Sequence, residues 1–350
     1  MQKHIHGGDV YTAHPKTDYS ANINPLGVPE SVLNAVRSCG QELSNYPDPS
    51  CRKLRAALSA KEGIPDANLI FGNGAAELIF ALAFALRPRK ALLMAPGFAE
   101  YEQALLAAGC EISYYELSQE HGFSPGEDYF AQITEELDIV FLCNPNNPTG
   151  VCLTPDFLEK AACLCREKGV CLILDECFNG FLDEPESCSL KNRLFEYENL
   201  FILKAFTKLY AMPGLRLGYG LCADTDLLEK LQAVLQPWSV SIPAQEAGWA
   251  ALQEDVYVAE ARRMVKQERA FLTEKLESLG LTVFPASANF IFFRGPKGLA
   301  AKTLEKGYLI RDCSNYRGLT EGFYRIAVRR PEENREFTQT LAGILAAEGM

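Results

Sequence analysis

Residues 205–219 read Ala-Phe-Thr-Lys-Leu-Tyr-Ala-Met-Pro-Gly-Leu-Arg-Leu-Gly-Tyr. The apolar run Leu200 to Phe206 predicts a buried strand, so Thr207 and Lys208 stand where a parallel sheet exposes side chains at its carboxyl edge. A lysine in that position can be partly desolvated, which lowers its pKa and makes the amine a Schiff-base nucleophile. Arg216 follows eight residues later. With the Thr207 hydroxyl it suits a phosphate, because a guanidinium donates paired charge-assisted hydrogen bonds. An isolated Lys-to-Arg spacing reads as solvated surface; the neighbouring stretches argue otherwise.

Three of these stretches also close apolar runs. Val170 to Phe178 reads Val-Cys-Leu-Ile-Leu-Asp-Glu-Cys-Phe, and an aspartate ending a buried strand is costly unless a cation or donor meets it. Alone, Asp175 reads equally as a helix N-cap or turn aspartate; beside the other stretches it suits a protonated pyridine nitrogen. Asn144 to Gly150 reads Asn-Pro-Asn-Asn-Pro-Thr-Gly, where two prolines restrict a turn that presents the Asn147 amide to a ligand oxygen. Gly72 to Glu77 ends a strand and opens a helix, so the amides of Ala75 and Ala76 make an anion site. Without a third glycine it is not the dinucleotide fingerprint.

Outward from these motifs, strand-like runs recur at Asn68 to Phe71, Lys90 to Ala95, Cys110 to Leu117, Asp138 to Cys143, Val170 to Asp175, Asn199 to Ala205 and Leu215 to Leu221. Helix-length segments separate most of them, including Pro155 to Lys168 with Thr154 as its N-cap. This alternation predicts an α/β fold with a mainly parallel seven-stranded sheet covered by helices. After Pro243 a long charged helix, Glu254 to Leu279, leads into short strands and a helix from Pro331, as in a smaller α+β domain. The expected division is an N-terminal segment 1–40 packing with the small domain, a large domain 41–242 and a small domain 243–350.

The chain has 350 residues, 48% hydrophobic and 23% charged, with 26 Gly and 19 Pro, which excludes collagen-like and disordered chains. Its net charge of −11 disfavours nucleic acid and anionic lipid as partners. Leu78 to Leu86, the longest apolar run, is too short to span a membrane, and no secretory leader opens the sequence. The twelve cysteines form no metal or redox pair, so a reducing, cytoplasmic setting and no metal are expected.

Together the four motifs resemble the fold-type I, aspartate aminotransferase superfamily of pyridoxal 5'-phosphate (PLP) enzymes, in the branch holding histidinol-phosphate aminotransferase. The resemblance implies that Lys208 binds the cofactor as a Schiff base and Asp175 pairs with its pyridine nitrogen. Asn147 would bond the ring hydroxyl oxygen, and Arg216, Thr207, Ala75 and Ala76 would hold the phosphate. Phe98, in Pro-Gly-Phe-Ala-Glu-Tyr, takes the place of the aromatic that stacks on the ring. Tyr46, in Asn-Tyr-Pro, matches a tyrosine reaching the phosphate from the other subunit, which implies a homodimer. Arg325 matches the arginine that binds the substrate carboxylate. Phe178 and Ala205 depart from the pattern, standing where relatives often carry hydroxyls.

The remaining motifs narrow the branch. His6-Gly-Gly-Asp9, Tyr19 to Gly27, Pro237-Trp-Ser-Val240 and Leu309 to Gly318 are similar to the threonine-phosphate decarboxylase family of cobalamin biosynthesis. That family converts L-threonine O-3-phosphate to (R)-1-amino-2-propanol O-2-phosphate and carbon dioxide. The resemblance implies that His6, from the neighbouring subunit, with Asn22, Arg311 and Arg325 lines the substrate pocket. The alternative is an aminotransferase of the histidinol-phosphate type that passes the amino group to 2-oxoglutarate. A PLP-binding regulator is disfavoured because no residues remain for a basic DNA-binding domain. A nicotinamide enzyme is disfavoured by the incomplete glycine motif.

Overall fold

The computed structural model describes residues 6–347. Its large sheet has seven strands: β1 (Leu69–Asn73), β2 (Lys90–Ala95), β3 (Glu111–Glu116), β4 (Ile139–Cys143), β5 (Cys171–Asp175), β6 (Leu200–Ala205) and β7 (Leu217–Cys222). All seven fall on the runs expected from the sequence. Their order is β1-β7-β6-β5-β4-β2-β3, and only β7 runs antiparallel to its neighbours.

The apolar runs are continuous because the sheet is buried on both faces, and successive side chains alternate between two cores. Leu172 and Leu174 enter one core with Val140, Leu142, Leu200 and Ile202. Ile173 enters the other with Ile139, Phe141, Phe201 and Leu203. Each such side chain, fully withdrawn from water, contributes about 1.5–3 kcal/mol. The helix Pro155–Lys168 opens as expected, with Thr154 Oγ1 accepting from the Phe157 N–H at 3.2 Å.

The smaller domain is a four-stranded antiparallel sheet, ordered Arg311–Asp312, Phe323–Ala327, Phe290–Arg294, Thr282–Val283. The helices Asp255–Ser278 and Pro331–Ala346 pack on it around Phe290, Ile326, Phe337 and Leu341.

Two boundary expectations give way to the packing. Segment 1–40 is shared between domains rather than belonging to the small one. Thr17–Asp18 pairs with Tyr308–Leu309 and Tyr19 enters the small core, whereas Val32 of helix Glu30–Ser38 enters the large core. The break expected after residue 242 also falls too early. Helix Ile242–Ala251 buries Ala244, Ala247 and Ala251 in the large core, and the chain passes to the small core only along helix Asp255–Ser278, with Val265 and Leu272.

Candidate active site

Lys208 follows β6 directly, in the short helix Phe206–Leu209. Asp175 ends β5, Asn147 lies just past β4, Phe98 just past β2, and Ala75 opens the helix Gly74–Leu86 after β1. β7 runs the other way, so Arg216, just before it, reaches the same edge. A parallel sheet gathers loop residues at the carboxyl ends of its strands, which is why positions spread over 140 residues meet. The smaller domain faces this edge and adds Arg311, Tyr316 and Arg325, and the N-terminal segment adds Asn22. A cavity of about 260 Å³ is lined by these residues with His6, Cys143, Cys177, Phe178, Ala205 and Thr207.

The N-terminal segment also holds the lysine in place. The backbone N–H of Asn24 donates to the Lys208 carbonyl at 3.1 Å, and Asn24 Nδ2 donates to the Leu209 carbonyl at 2.7 Å. Burial, followed by the nearby Arg325 charge, lowers the Lys208 pKa to about 8. A neutral, nucleophilic amine is therefore accessible near physiological pH.

Asp175 is buried, and both its oxygens are engaged. Tyr101 Oη donates to Oδ2 at 2.5 Å, and the Cys177 N–H donates to Oδ1 at 2.9 Å. Burial raises its pKa against these bonds. Such a group gains by meeting a cation in the cavity.

The candidate anion cradle depends on two glycines. At Gly74, φ is +75°, and a Cβ would lie 2.3 Å from Arg216 Nη2; at Gly218 a Cβ would lie 2.3 Å from the Ala75 nitrogen. Their missing side chains let the guanidinium close over the helix N-terminus beside the buried Thr207.

Opposite the lysine, Arg311 and Arg325 are directly paired residues on adjacent antiparallel strands, and both are buried. Arg325 Nη2 donates to the Ser20 carbonyl at 2.8 Å, Nη1 donates to Asn147 Oδ1, and Nε has no partner. The Asn147 amide is thus held by Arg325, a link the sequence does not suggest. Asn22 Oδ1 is buried without a partner as well. Arg311 Nη2 donates to Asn315 Oδ1 at 2.7 Å, with its guanidinium 5.1 Å from the centre of the Tyr316 ring.

Of the two residues expected to serve the neighbouring subunit, one is placed differently. His6 lines the pocket of its own chain, with Nδ1 3.5 Å from Glu100 Oε1. The cause is the anchoring of the N-terminal segment on the pocket wall, where the Gly8 N–H donates to Ser20 Oγ at 2.6 Å. Tyr46 lies outside this pocket; it is 77% exposed and stacks on Trp238, with ring centres 4.5 Å apart. Phe178 and Ala205, the two departures, both line the cavity, and Phe178 packs edge-on against Phe290.

Glu100, Tyr101 and Tyr316 escaped the sequence reading. The first two stand beside Phe98 in the same hexapeptide and are adjacent to it in the fold. Their helical spacing alone marks them as an exposed acid and a core aromatic.

The sequence profile described as aminotransferase class I and II matches residues 14–341. A threonine-phosphate decarboxylase of Salmonella typhimurium (strain LT2) is 36% identical, covering 94% of this chain and 91% of its own. The crystal structure of a histidinol-phosphate aminotransferase from Clostridium acetobutylicum superposes with a TM-score of 0.88 at 32% identity, covering 94% of this chain and 99% of that one. That of an L-threonine-O-3-phosphate decarboxylase from Porphyromonas gingivalis gives 0.82 at 25% identity, with the same two shares. With nearly the whole length matched and the site residues gathered at one sheet edge, this chain belongs to the class I and II aminotransferase family.

Proposed function

We propose that the protein is a PLP-dependent threonine-phosphate decarboxylase, which converts L-threonine O-3-phosphate to (R)-1-amino-2-propanol O-2-phosphate and carbon dioxide for cobalamin biosynthesis. The observation that carries this reading is the facing pair Arg311 and Arg325. Like charges directly opposite on neighbouring strands destabilise a sheet, and burial increases the cost, so the pair calls for a doubly anionic ligand.

The cofactor half of the pocket fits pyridoxal 5'-phosphate. The cradle of Ala75, Ala76, Thr207 and Arg216 suits its phosphate, and buried Asp175 suits a protonated ring nitrogen. Lys208, whose amine gives up its proton more readily than an ordinary lysine's, would hold the aldehyde, and Phe98 would wall the ring site. When bound, the cofactor supplies an electron sink for a bond broken at the substrate α-carbon.

The protein's own task is orientation. Arg325 forks onto the substrate carboxylate, while Arg311, Asn22 and His6 receive the phosphate, which holds the two anionic ends apart. With PLP bound, the way these residues fix the two ends of the substrate would decide whether the carboxylate or the α-hydrogen is lost, and Lys208 would be the base in the second case.

The same reading makes the enzyme a homodimer in which exposed Tyr46 reaches the neighbouring cofactor phosphate. It also places the enzyme in the cytoplasm, where twelve unpaired cysteines stay reduced.

The test is incubation of the PLP-loaded protein with L-threonine O-3-phosphate. Carbon dioxide and the amino alcohol phosphate are expected without 2-oxoglutarate. Amino transfer to a keto acid, without gas release, defeats the reading in favour of the aminotransferase.

A further inference from the structure

Glu100 lines the substrate pocket without a place in the scheme above. Its side chain is 17% exposed; Oε1 faces His6, and Oε2 is buried without a hydrogen-bond partner. A carboxylate among groups that receive a phosphate opposes that phosphate unless it holds a proton. The groups facing Glu100 come from every side: His6 on the N-terminal segment, Asp175 and Lys208 at the sheet edge, and Arg311 and Tyr316 from the small domain. Burial is the largest influence and lifts its pKa to about 7; Asp175 adds to the rise, and Lys208 and Arg311 oppose it. A phosphate dianion alongside pushes in the same direction as burial.

We infer that Glu100 is a specificity residue for the phosphate end of the substrate, its protonated carboxyl donating a hydrogen bond to a phosphate oxygen so that ligand and proton bind together. The inference rests on the proposed phosphorylated substrate. The proton comes from solvent and no covalent bond changes. Below pH 7 the carboxyl enters the complex already neutral; above it, binding must draw a proton in, and affinity falls.

The test titrates PLP-loaded wild type and Glu100→Gln with O-phosphoethanolamine, which carries an amine and a phosphate but no carboxylate to lose. Binding is read from the visible absorbance of the cofactor, and proton uptake from calorimetry in two buffers of different ionisation heat. Between pH 6.5 and 8.5 the wild-type Kd should rise about 20-fold relative to that of Glu100→Gln. At pH 8 the wild type should take up close to one more proton per ligand. Glu100→Asp, which still titrates, should keep the pH slope and guards against a folding defect in the amide variant. Equal slopes and equal uptake in wild type and Glu100→Gln overturn the inference. If wild type binds O-phosphoethanolamine no better than ethanolamine, the phosphorylated-substrate reading itself fails, and the inference falls with it.

Discussion

Arg311 and Arg325 stand directly opposite each other on neighbouring strands of the small sheet, two buried guanidinium groups where strand chemistry favours neutral or opposite charges. Arg311 is already held by Asn315 and Arg325 by Ser20 and Asn147, and both line the cavity, so an anion bound there adds to the stability of the folded chain.

Replacing one member separates the two effects. Arg311→Met should leave the melting temperature of the ligand-free protein unchanged or higher. It should weaken the substrate by about 10- to 100-fold, the loss of a charge-assisted hydrogen bond of about 1.5–3 kcal/mol. Thermal scans with and without L-threonine O-3-phosphate measure both. A lower melting temperature with undiminished ligand stabilisation would contradict the pairing argument.

Lys208 should cost the cofactor-free fold stability at neutral pH. The unfolded chain keeps this proton up to the ordinary lysine pKa of 10.5, whereas the folded protein releases it near pH 8. The unfolded state thus binds more protons between those values, and stability rises with pH across that window. Below pH 8 the full penalty applies, up to about 3 kcal/mol. Lys208→Met should therefore melt higher than wild type at pH 7, with the gap closing above pH 10.5, and should lack turnover and the cofactor's imine absorbance. An identical melting profile at both pH values would refute the buried-amine assignment.

Tyr101 keeps its phenolic proton, since burial and the Asp175 charge hold its pKa far above the ordinary value. It therefore donates to Asp175, the carboxylate proposed above to meet the ring nitrogen. Tyr101→Phe should weaken PLP by about 10- to 100-fold, as expected for a hydrogen bond to a charged group. Equilibrium titration of cofactor absorbance checks this, and an unchanged Kd would mean the bond is only structural.

Gly218→Ala should be more damaging than its size suggests. The new methyl group would meet the backbone nitrogen of Ala75, not a flexible side-chain end, so the helix N-terminus must move. PLP affinity should drop at least tenfold, while a fluorescence melt shows a folded chain. Normal affinity would show that the cradle does not depend on this close approach.

The seven strands of the large sheet were legible because burial on both faces leaves uninterrupted apolar runs, and Lys208, Asp175 and Asn147 were legible because each interrupts or closes such a run. Strand order was not, since nothing in residues 217–222 announces that this segment runs antiparallel between β1 and β6. Residues 308–312 serve two sheets: Tyr308–Leu309 pairs with the N-terminal segment, and Arg311–Asp312 with Phe323–Ala327. Pairing partners far apart in sequence leave no local trace. Glu100 and Tyr101 went unread for the same reason, because their significance comes from Arg311 and Asp175, which only folding brings near.

The pocket draws its two halves from different bodies. Lys208, Asp175 and the anion cradle belong to the large domain, whereas Arg311 and Arg325 arrive on the small one and Asn22 on the segment after the strand joined to it. Damage confined to the smaller body, by mutation or gentle denaturant, should leave a yellow protein that holds its vitamin yet ignores its amino acid. Colour and turnover would then be lost at different doses.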